Sequence, residues 1–204
     1  MKSIRDLYKI GKGPSSSHTM GPARAAEIFK SENPDAERYE VVLYGSLAKT
    51  GIGHGTDRVL RDVFAPKDVQ IVFAEHDPDD LKHPNTLDLS AFTGTEKTAS
   101  IRVESIGGGD IVVEGRPGLE PPEVYPENSF AEIAQFCAWR QVSLPQYVEM
   151  NEGPEIWDFL KDIWNAMRKE IHDGLSAEGV LPGGLNVQRK AKYLFERGHQ
   201  VDIP

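Results

Sequence analysis

Residues 39–46 read Tyr-Glu-Val-Val-Leu-Tyr-Gly-Ser and begin the α+β part of the chain's pattern. Its β-branched and aromatic residues predict a strand, and Gly45 permits a sharp turn at the strand's end. Three glycines then interrupt the chain at positions 51, 53 and 55, and apolar residues recur at helical spacing over 59–64. We therefore predict a strand, a glycine-rich loop over 45–57 and a helix.

Downstream of this unit, further segments have strand character. Residues 69–74 predict a second short strand, and residues 98–106 alternate in polarity as a third. Residues 107–109 are three consecutive glycines, followed by the apolar run 111–113. A hairpin or bulge at the glycines would return the chain antiparallel to the third strand. These segments predict an α+β domain over residues 1–150.

Helical patterns dominate the remainder of the chain. Residues 114–128 contain four prolines and predict a linker or a meandering surface loop. Residues 130–138 carry one apolar helical face, residues 156–167 predict a longer helix that Gly174 ends, and residues 187–198 predict a basic helix. Two or three amphipathic helices cannot readily build an independent core. We expect this short all-helical segment to pack on the first domain or on a missing continuation.

Composition excludes several classes of protein. With 204 residues, 39% hydrophobic and 27% charged, the chain is globular, and no run approaches the roughly 18 apolar residues of a membrane span. The N-terminus has no apolar signal core, which predicts a cytoplasmic protein. A net charge of −9 argues against a nucleic-acid or anionic-membrane surface. Cys137 is the single cysteine, so the chain has no internal disulfide and no all-cysteine zinc or iron–sulfur site.

A run of hydroxyl side chains precedes the first predicted helix. Residues 13–22 read Gly-Pro-Ser-Ser-Ser-His-Thr-Met-Gly-Pro, in which Ser15, Ser16, Ser17 and Thr19 are helix N-cap types. Free N–H groups at a helix start, the positive end of its dipole and clustered hydroxyls together favour an anion such as a carboxylate or phosphate. The alternative is a well-capped helix with no further role.

Two histidines stand among small residues that would leave their rings accessible. His18 lies in the hydroxyl run, and His54 lies in the glycine-rich loop, shortly before Thr56 and Asp57. Imidazole exchanges protons near neutral pH, so both are candidates for proton transfer. The loop matches neither the P-loop nor the dinucleotide-binding pattern, and a tight turn with Asp57 at the helix start is the alternative. A metal site from His18, His54 and Asp57 lacks any recognised ligand spacing, so we predict no metal.

Taken together, these motifs resemble the iron–sulfur-dependent L-serine dehydratases, also called L-serine ammonia-lyases. That family deaminates L-serine to pyruvate and ammonia without pyridoxal phosphate. An ordered series of matches is more specific than any single motif. The segments that carry the resemblance are residues 7–11, 13–22, 44–57, 83–85, 105–109 and 178–183, with Arg189 after them.

The resemblance implies an architecture as well as a reaction. Residues 1–150 would be the family's β domain, a mixed sheet with flanking helices that is similar to the allosteric substrate-binding domain of some phosphoglycerate dehydrogenases. Residues 151–204 would be the first helices of the α domain, which is incomplete here. In the complete enzyme a 4Fe-4S cluster is held by cysteines of the remaining α domain. We therefore expect no cluster on this chain alone and no activity from it alone.

The resemblance also implies a set of site residues and partners. L-serine would be the substrate, and the missing α-domain portion would be supplied in cis or by a second chain, in a homo-oligomer. His18 and His54 would transfer protons, with the identity of the base left open. The expected substrate-binding residues are Ser15, Ser16, Ser17, Thr19, Thr56 and Asp57.

Two other functions are compatible with the same sequence. The first is a non-catalytic regulatory module that senses an amino acid or another carboxylate through these loops. The second is a structural subunit whose exposed helical faces dock the missing part.

Overall fold

The computed structural model describes residues 1–118, 122–181 and 186–198. These residues form two compact units. The sheet unit comprises residues 11–118 with 181 and 186, and the helical unit comprises residues 1–10, 122–180 and 187–198. Each unit has its own cluster of buried hydrophobic residues. The boundary at residue 150 between the two family domains stays a prediction.

The sheet unit is an α+β domain built on a mixed sheet, which confirms the predicted fold class. Its five strands lie in the order β2-β1-β3-β4-β5. β1 is parallel to β2, and the other neighbouring pairs are antiparallel. The elements are α2 (Met20–Glu32), β1 (Arg38–Leu43), α3 (Gly45–His54), α4 (Thr56–Phe64), β2 (Asp68–Phe73), β3 (Thr86–Thr93), β4 (Glu96–Gly107) and β5 (Asp110–Val113).

The predicted strands are confirmed with small shifts of their bounds, but β3 was not predicted. This strand is almost entirely buried in the middle of the sheet. Asp88 and Ser90 interrupt its apolar pattern, which obscured the strand in the sequence. The Asp88 carboxylate is compensated by two hydrogen bonds from the Arg102 guanidinium of β4, at 2.8 and 2.9 Å.

The predicted glycine-rich loop over 45–57 is wrong, because most of it is helix α3. Gly45 takes a φ of +53°, and a Cβ there would lie 2.4 Å from the Pro84 carbonyl oxygen. The Gly45 N–H donates to the Asp77 carboxylate at 2.7 Å, and the Ser46 N–H donates to that Pro84 oxygen at 2.6 Å. These bonds satisfy donors that a helix start otherwise leaves unpaired. The helix ends at Gly55, whose φ of +77° lets α4 begin immediately.

The core of the sheet unit lies between the sheet and its helices. Helix α2 buries Ala25, Ala26 and Phe29, and the strands contribute a fully buried aliphatic layer. Tyr39 packs against Phe29 and Phe64 within this core. The buried aliphatic side chains are Val41, Leu43, Leu47, Leu60, Leu87, Leu89 and Val103.

The described residues of the helical unit form five helices. They are α1 (Ile4–Leu7), α5 (Phe130–Arg140), α6 (Leu144–Glu152), α7 (Ile156–Ser176) and α8 (Ala191–Gly198). The predicted helices at 130–138 and 156–167 are confirmed. The prediction that Gly174 ends the longer helix is wrong, since α7 continues to Ser176. The basic helix begins at Ala191 rather than at residue 187.

A buried carboxylate ties the N-terminus into the helical unit. Glu152 accepts hydrogen bonds from the Ser3 hydroxyl at 2.7 Å, the Ile4 N–H at 2.8 Å and the Tyr125 hydroxyl at 2.7 Å. The N-terminal ammonium of Met1 donates to the Tyr125 carbonyl at 2.7 Å. Residues around Tyr125, which belong to the proline-rich stretch, therefore hold the chain's first residues in place.

Helix α7 leaves one apolar face exposed among the described residues. Trp157, Trp164, Met167 and Ile171 lie on this face and are 39%, 57%, 41% and 58% exposed. In the part of the chain that the structure describes, no helix is long and apolar enough to cross a membrane.

The close approach of α2 to β4 yields a prediction about Gly21. A Cβ at this position would lie 1.9 Å from Ser105 Oγ, which is buried in the sheet unit. Gly21→Ala should therefore lower the free energy of unfolding by about 1–3 kcal/mol, measured by urea denaturation. The matched substitution is Gly174→Ala in α7, where a Cβ meets nothing within 4 Å. It should leave stability unchanged or raise it by up to about 1 kcal/mol. Wild-type stability in Gly21→Ala would contradict the observed packing.

Candidate active site

The centre of the candidate site is His18, which lies in the turn before α2 and is only 7% exposed. Its Nδ1 lies 3.1 Å from Ser15 Oγ and 3.1 Å from Ser17 Oγ. Its Nε2 lies 3.1 Å from Ser46 Oγ and 3.0 Å from Thr50 Oγ1. The imidazole is thus surrounded by four hydroxyls, two on each ring nitrogen.

Helix α3 supplies the second side of the site. Ser46, Thr50 and His54 are spaced four residues apart, so they lie along one face of the helix. The His54 ring lies against the His18 ring, with centroids 4.5 Å apart. The structure therefore brings the two predicted proton-transfer residues together. Sequence reasoning missed Ser46 and Thr50 as site residues, although their spacing relative to His54 was the available signal.

The hydrogen bonds assign the tautomer of His18. A threonine hydroxyl has one proton, and Thr50 Oγ1 donates it to the Ser46 carbonyl oxygen at 2.8 Å. Thr50 Oγ1 can then only accept from His18, so His18 Nε2 carries a proton. In the neutral ring Nδ1 is consequently the acceptor for a hydroxyl of Ser15 or Ser17.

His54 has the opposite tautomer. Its Nδ1 lies 3.0 Å from the carbonyl oxygen of Thr50. A carbonyl oxygen only accepts, so Nδ1 of His54 carries the proton and Nε2 keeps a lone pair. His54 Nε2 makes no hydrogen bond with the described residues, and the side chain is half-buried. This nitrogen is therefore available as a base.

The environment disfavours a positive charge on His18. Burial lowers the pKa of the His18 imidazole, and the neighbouring His54 lowers it further, while a hydrogen bond to the Ser46 backbone opposes both. His18 is accordingly neutral at pH 7, in agreement with its Nδ1 accepting hydroxyl protons.

The two predicted threonines hold the turn that carries His18. Thr56 is fully buried, and its hydroxyl donates to the His18 carbonyl oxygen at 2.7 Å. Thr19 is 2% exposed, and its hydroxyl lies between the carbonyl oxygens of Ser15, at 2.8 Å, and Lys12. Both hydroxyl protons are engaged with the backbone. The role of Thr19 and Thr56 in substrate binding stays a prediction.

Fewer free N–H groups stand at the start of α2 than the sequence predicts, because two of the donors there are engaged and Pro22 has none. The Thr19 N–H donates to the Ser15 carbonyl at 2.9 Å and the Gly21 N–H to the Ser16 carbonyl at 3.0 Å. Pro22 has no N–H, and Thr19 caps the helix without a side-chain hydrogen bond. The turn over residues 16–19 therefore engages two of the backbone donors, and the hydroxyls of this segment become the main candidates for binding an anion.

Ser16 and Asp57 complete the predicted set. The Ser16 hydroxyl has no hydrogen-bond partner among the described residues. The Oδ1 atom of Asp57 is buried and also has no partner there. Their predicted role in substrate binding is untested by these contacts.

The described residues hold no metal site. Residues 1–118, 122–181 and 186–198 contain no group of three or more His, Cys, Asp and Glu side chains that could bind a metal ion. Cys137 is half-buried in the helical unit, where it packs against the cluster of Tyr125, Ile133 and Tyr147.

The described site is a pair of imidazoles in opposite tautomers within a cluster of hydroxyls, an arrangement whose groups can exchange protons and bond to a small polar molecule. Residues 3–62 match the family model described as serine dehydratase beta chain. Residues 3–62 therefore match the sequence of a serine dehydratase β chain, and almost the whole chain is similar to L-serine dehydratases.

Individual relatives agree with this family. L-serine dehydratase 2 of Escherichia coli (strain K12) is 33% identical over 95% of this chain, and L-serine dehydratase 1 of the same organism is 32% identical over 95%. An L-serine dehydratase of Mycobacterium bovis is 32% identical over 98% of this chain. The alignments cover 53%, 54% and 54% of these relatives. The chain therefore spans about half the length of the curated relatives it matches.

The depressed pKa of His18 predicts how stability responds to acid. In the unfolded chain the ring titrates near its ordinary value of 6.5, whereas in the folded protein it binds a proton less readily. Protons then bind preferentially to the unfolded chain, so the free energy of unfolding should fall as the pH drops from about 7 to about 5. Denaturant titrations across this range measure the slope.

His18→Asn should flatten this pH dependence. The matched control, His76→Asn, replaces an exposed histidine of the same unit and should retain the wild-type slope. An unchanged slope in His18→Asn would show that His18 does not titrate differently in the folded protein.

Proposed function

We propose that this chain supplies the proton-transfer half of an L-serine dehydratase, which deaminates L-serine to pyruvate and ammonia. The observation that carries the proposal is the free lone pair of His54 Nε2 beside a neutral, hydroxyl-bound His18. The relatives are L-serine dehydratases, which supports serine as the substrate. Because the chain spans about half of those relatives, the rest of the active site would come from sequence outside it.

His54 is the base in this proposal. Removal of the Cα proton of serine requires a neutral acceptor that the substrate can reach. His54 Nε2 meets this requirement, since its other nitrogen is fixed as a donor by the Thr50 carbonyl. His18 is the poorer candidate for the base, because both of its ring nitrogens already form hydrogen bonds with the surrounding hydroxyls.

The serine hydroxyls bind the substrate carboxylate. His18 Nδ1 has one lone pair, so Ser15 and Ser17 cannot both donate to it fully. The second of these hydroxyls can bond to its neighbour, since Ser15 Oγ and Ser17 Oγ lie 3.3 Å apart, or donate to a substrate instead. The Ser16 hydroxyl has no partner among the described residues and is available as well. Charge-assisted hydrogen bonds from these hydroxyls would hold the carboxylate. His18 serves as the acceptor that organises them, and Thr19 and Thr56 keep its turn in place.

Asp57 is assigned to the substrate's ammonium group. Its Oδ1 lacks a hydrogen-bond partner among the described residues, and a carboxylate oxygen is the natural acceptor for an ammonium. This assignment gives the two ends of serine different partners, hydroxyls for the carboxylate and a carboxylate for the amine.

The reaction is a β-elimination. His54 Nε2 takes the Cα proton, the electron pair forms the Cα–Cβ double bond, and the Cβ–O bond breaks. The leaving hydroxyl takes up the proton that His54 carries and departs as water, which returns His54 to its neutral form. The resulting aminoacrylate tautomerises to an imine, which water hydrolyses to pyruvate and ammonium.

The iron–sulfur cluster implied by the family resemblance does not fit the residues of this chain. Such clusters are held by cysteine thiolates, and Cys137 is the single cysteine. It also packs in an aromatic cluster of the helical unit, outside the hydroxyl–imidazole site. The cluster ligands would therefore lie in sequence outside this chain.

The exposed face of α7 is the docking surface for that remaining sequence. Two tryptophans, Trp157 and Trp164, with Met167 and Ile171, form an apolar stripe that the described residues leave open. Buried apolar helix faces of this kind stabilise helical domains. The remaining family sequence, in cis or as a second chain, is the occupant because the relatives are about twice as long as the part this chain matches.

The test of the proposed base is a comparison of variants in the complete assembly. This chain would be produced anaerobically together with the remaining family sequence, and pyruvate formation from L-serine would be measured. His54→Gln should lower kcat by about 10²-fold or more, since a general base contributes that much. The matched control, His76→Gln, replaces an exposed histidine of the same unit and should keep wild-type kcat.

His18→Asn separates the two histidines. It should raise the KM for serine more than it lowers kcat, because His18 organises the hydroxyls that bind the carboxylate. Near-normal kcat in His54→Gln would remove His54 from the role of base.

A further inference from the structure

We infer that the sheet unit carries an oxyanion-binding cleft centred on Arg58, next to the hydroxyl–imidazole site. This inference does not rest on the proposed function. The cleft has a volume of about 350 Å³, which is ample for a carboxylate or phosphate group. The residues that matter for its chemistry are Lys12, His54, Gly55, Arg58, Arg61 and Asp62.

The charge of the cleft is opposite to that of the chain. Lys12, Arg58 and Arg61 line it with a single carboxylate, Asp62, whereas the whole chain has a net charge of −9. An acidic protein repels small anions in general, so a concave site with an excess of cations concentrates them locally. The cleft is therefore a place on the described sheet unit where an anion would be attracted.

Arg58 is the group that remains available for a ligand. Lys12 pairs with Asp62 at 2.5 Å, and Arg61 Nη1 donates to the Val69 carbonyl at 3.4 Å. Among the described residues, Arg58 makes neither a hydrogen bond nor an ion pair. A guanidinium presents several N–H donors in a rigid fork that fits carboxylate and phosphate oxygens in pairs.

A second cation, Lys12, can contact the same anion as Arg58. Lys12 and Asp62 are 69% and 62% exposed, so their ion pair contributes little stability and Lys12 can turn toward a bound anion. Gly55 has no side chain, which leaves the guanidinium of Arg58 close to the backbone where α3 meets α4. His54 lines the same cleft, so an anion bound by Arg58 would lie beside the proposed base.

The ligand is a small oxyanion, and two sources share this chemistry. One is the carboxylate of an amino acid such as serine, and the other is free phosphate. Inorganic phosphate is the probe, titrated into the ¹⁵N-labelled chain and followed by the Arg58 Nε–Hε and Gly55 amide resonances. Both resonances should shift saturably.

Variants assign the binding to Arg58. Arg58→Gln should raise the Kd for phosphate by about tenfold or more, as expected for loss of charge-assisted hydrogen bonds. Arg58→Lys should give an intermediate value because it keeps the charge and loses the fork. The matched control is Arg24→Gln, which makes the same change in net charge at an arginine that pairs with Asp110 on β5. It should bind phosphate as the wild type does.

Competition distinguishes the two sources of the anion. If L-serine displaces phosphate and ethanolamine, which lacks the carboxylate, does not, the cleft accepts an amino-acid carboxylate. If phosphate binds and serine does not compete, the cleft is a separate phosphate site. Either result would support the inference that the cleft binds an oxyanion. The inference is overturned if neither phosphate nor serine shifts these resonances saturably, or if Arg24→Gln loses as much affinity as Arg58→Gln.

Discussion

The candidate site depends on how the chain leaves β1. Gly45 adopts a left-handed φ and sits so close to Pro84 that no side chain would fit, and its N–H is held by Asp77. Helix α3 can therefore begin within one residue of the strand's end. That start fixes the rotation of the helix, which in turn brings Ser46, Thr50 and His54 to the face that meets His18.

From this geometry the two histidines acquire different chemical properties. One residue, Thr50, contacts both of them, because its hydroxyl accepts from His18 Nε2 and its carbonyl accepts from His54 Nδ1. His18 is left with an acceptor nitrogen among serine hydroxyls, and His54 is left with an acceptor nitrogen that no described residue occupies. Two imidazoles 4.5 Å apart would repel each other if both were charged, so the arrangement favours two neutral rings. We infer that this division separates substrate binding from proton abstraction.

Much of the fold and part of the candidate site could be predicted from the sequence. The strands β1, β2, β4 and β5 follow from local apolar patterns, and His18 and His54 stand out by residue type. Helix α3 could not be predicted from propensity, because Gly51 and Gly53 weaken a helix that is stabilised by packing of Leu47 and Gly51 against the core. Strand β3 was missed because the partners that compensate Asp88, Tyr44 and Arg102, are distant from it in sequence. The roles of Ser46 and Thr50 depend on that unpredicted helix.

Because α3 fixes both rings, the two histidines should hold opposite tautomers in solution. Long-range ¹H–¹⁵N correlation spectra of the ¹⁵N-histidine-labelled chain near neutral pH distinguish protonated from unprotonated ring nitrogens. We expect a proton on Nε2 and a bare Nδ1 for His18, with a proton on Nδ1 and a bare Nε2 for His54. The same tautomer at both residues, or an averaged signal at either, would contradict this expectation.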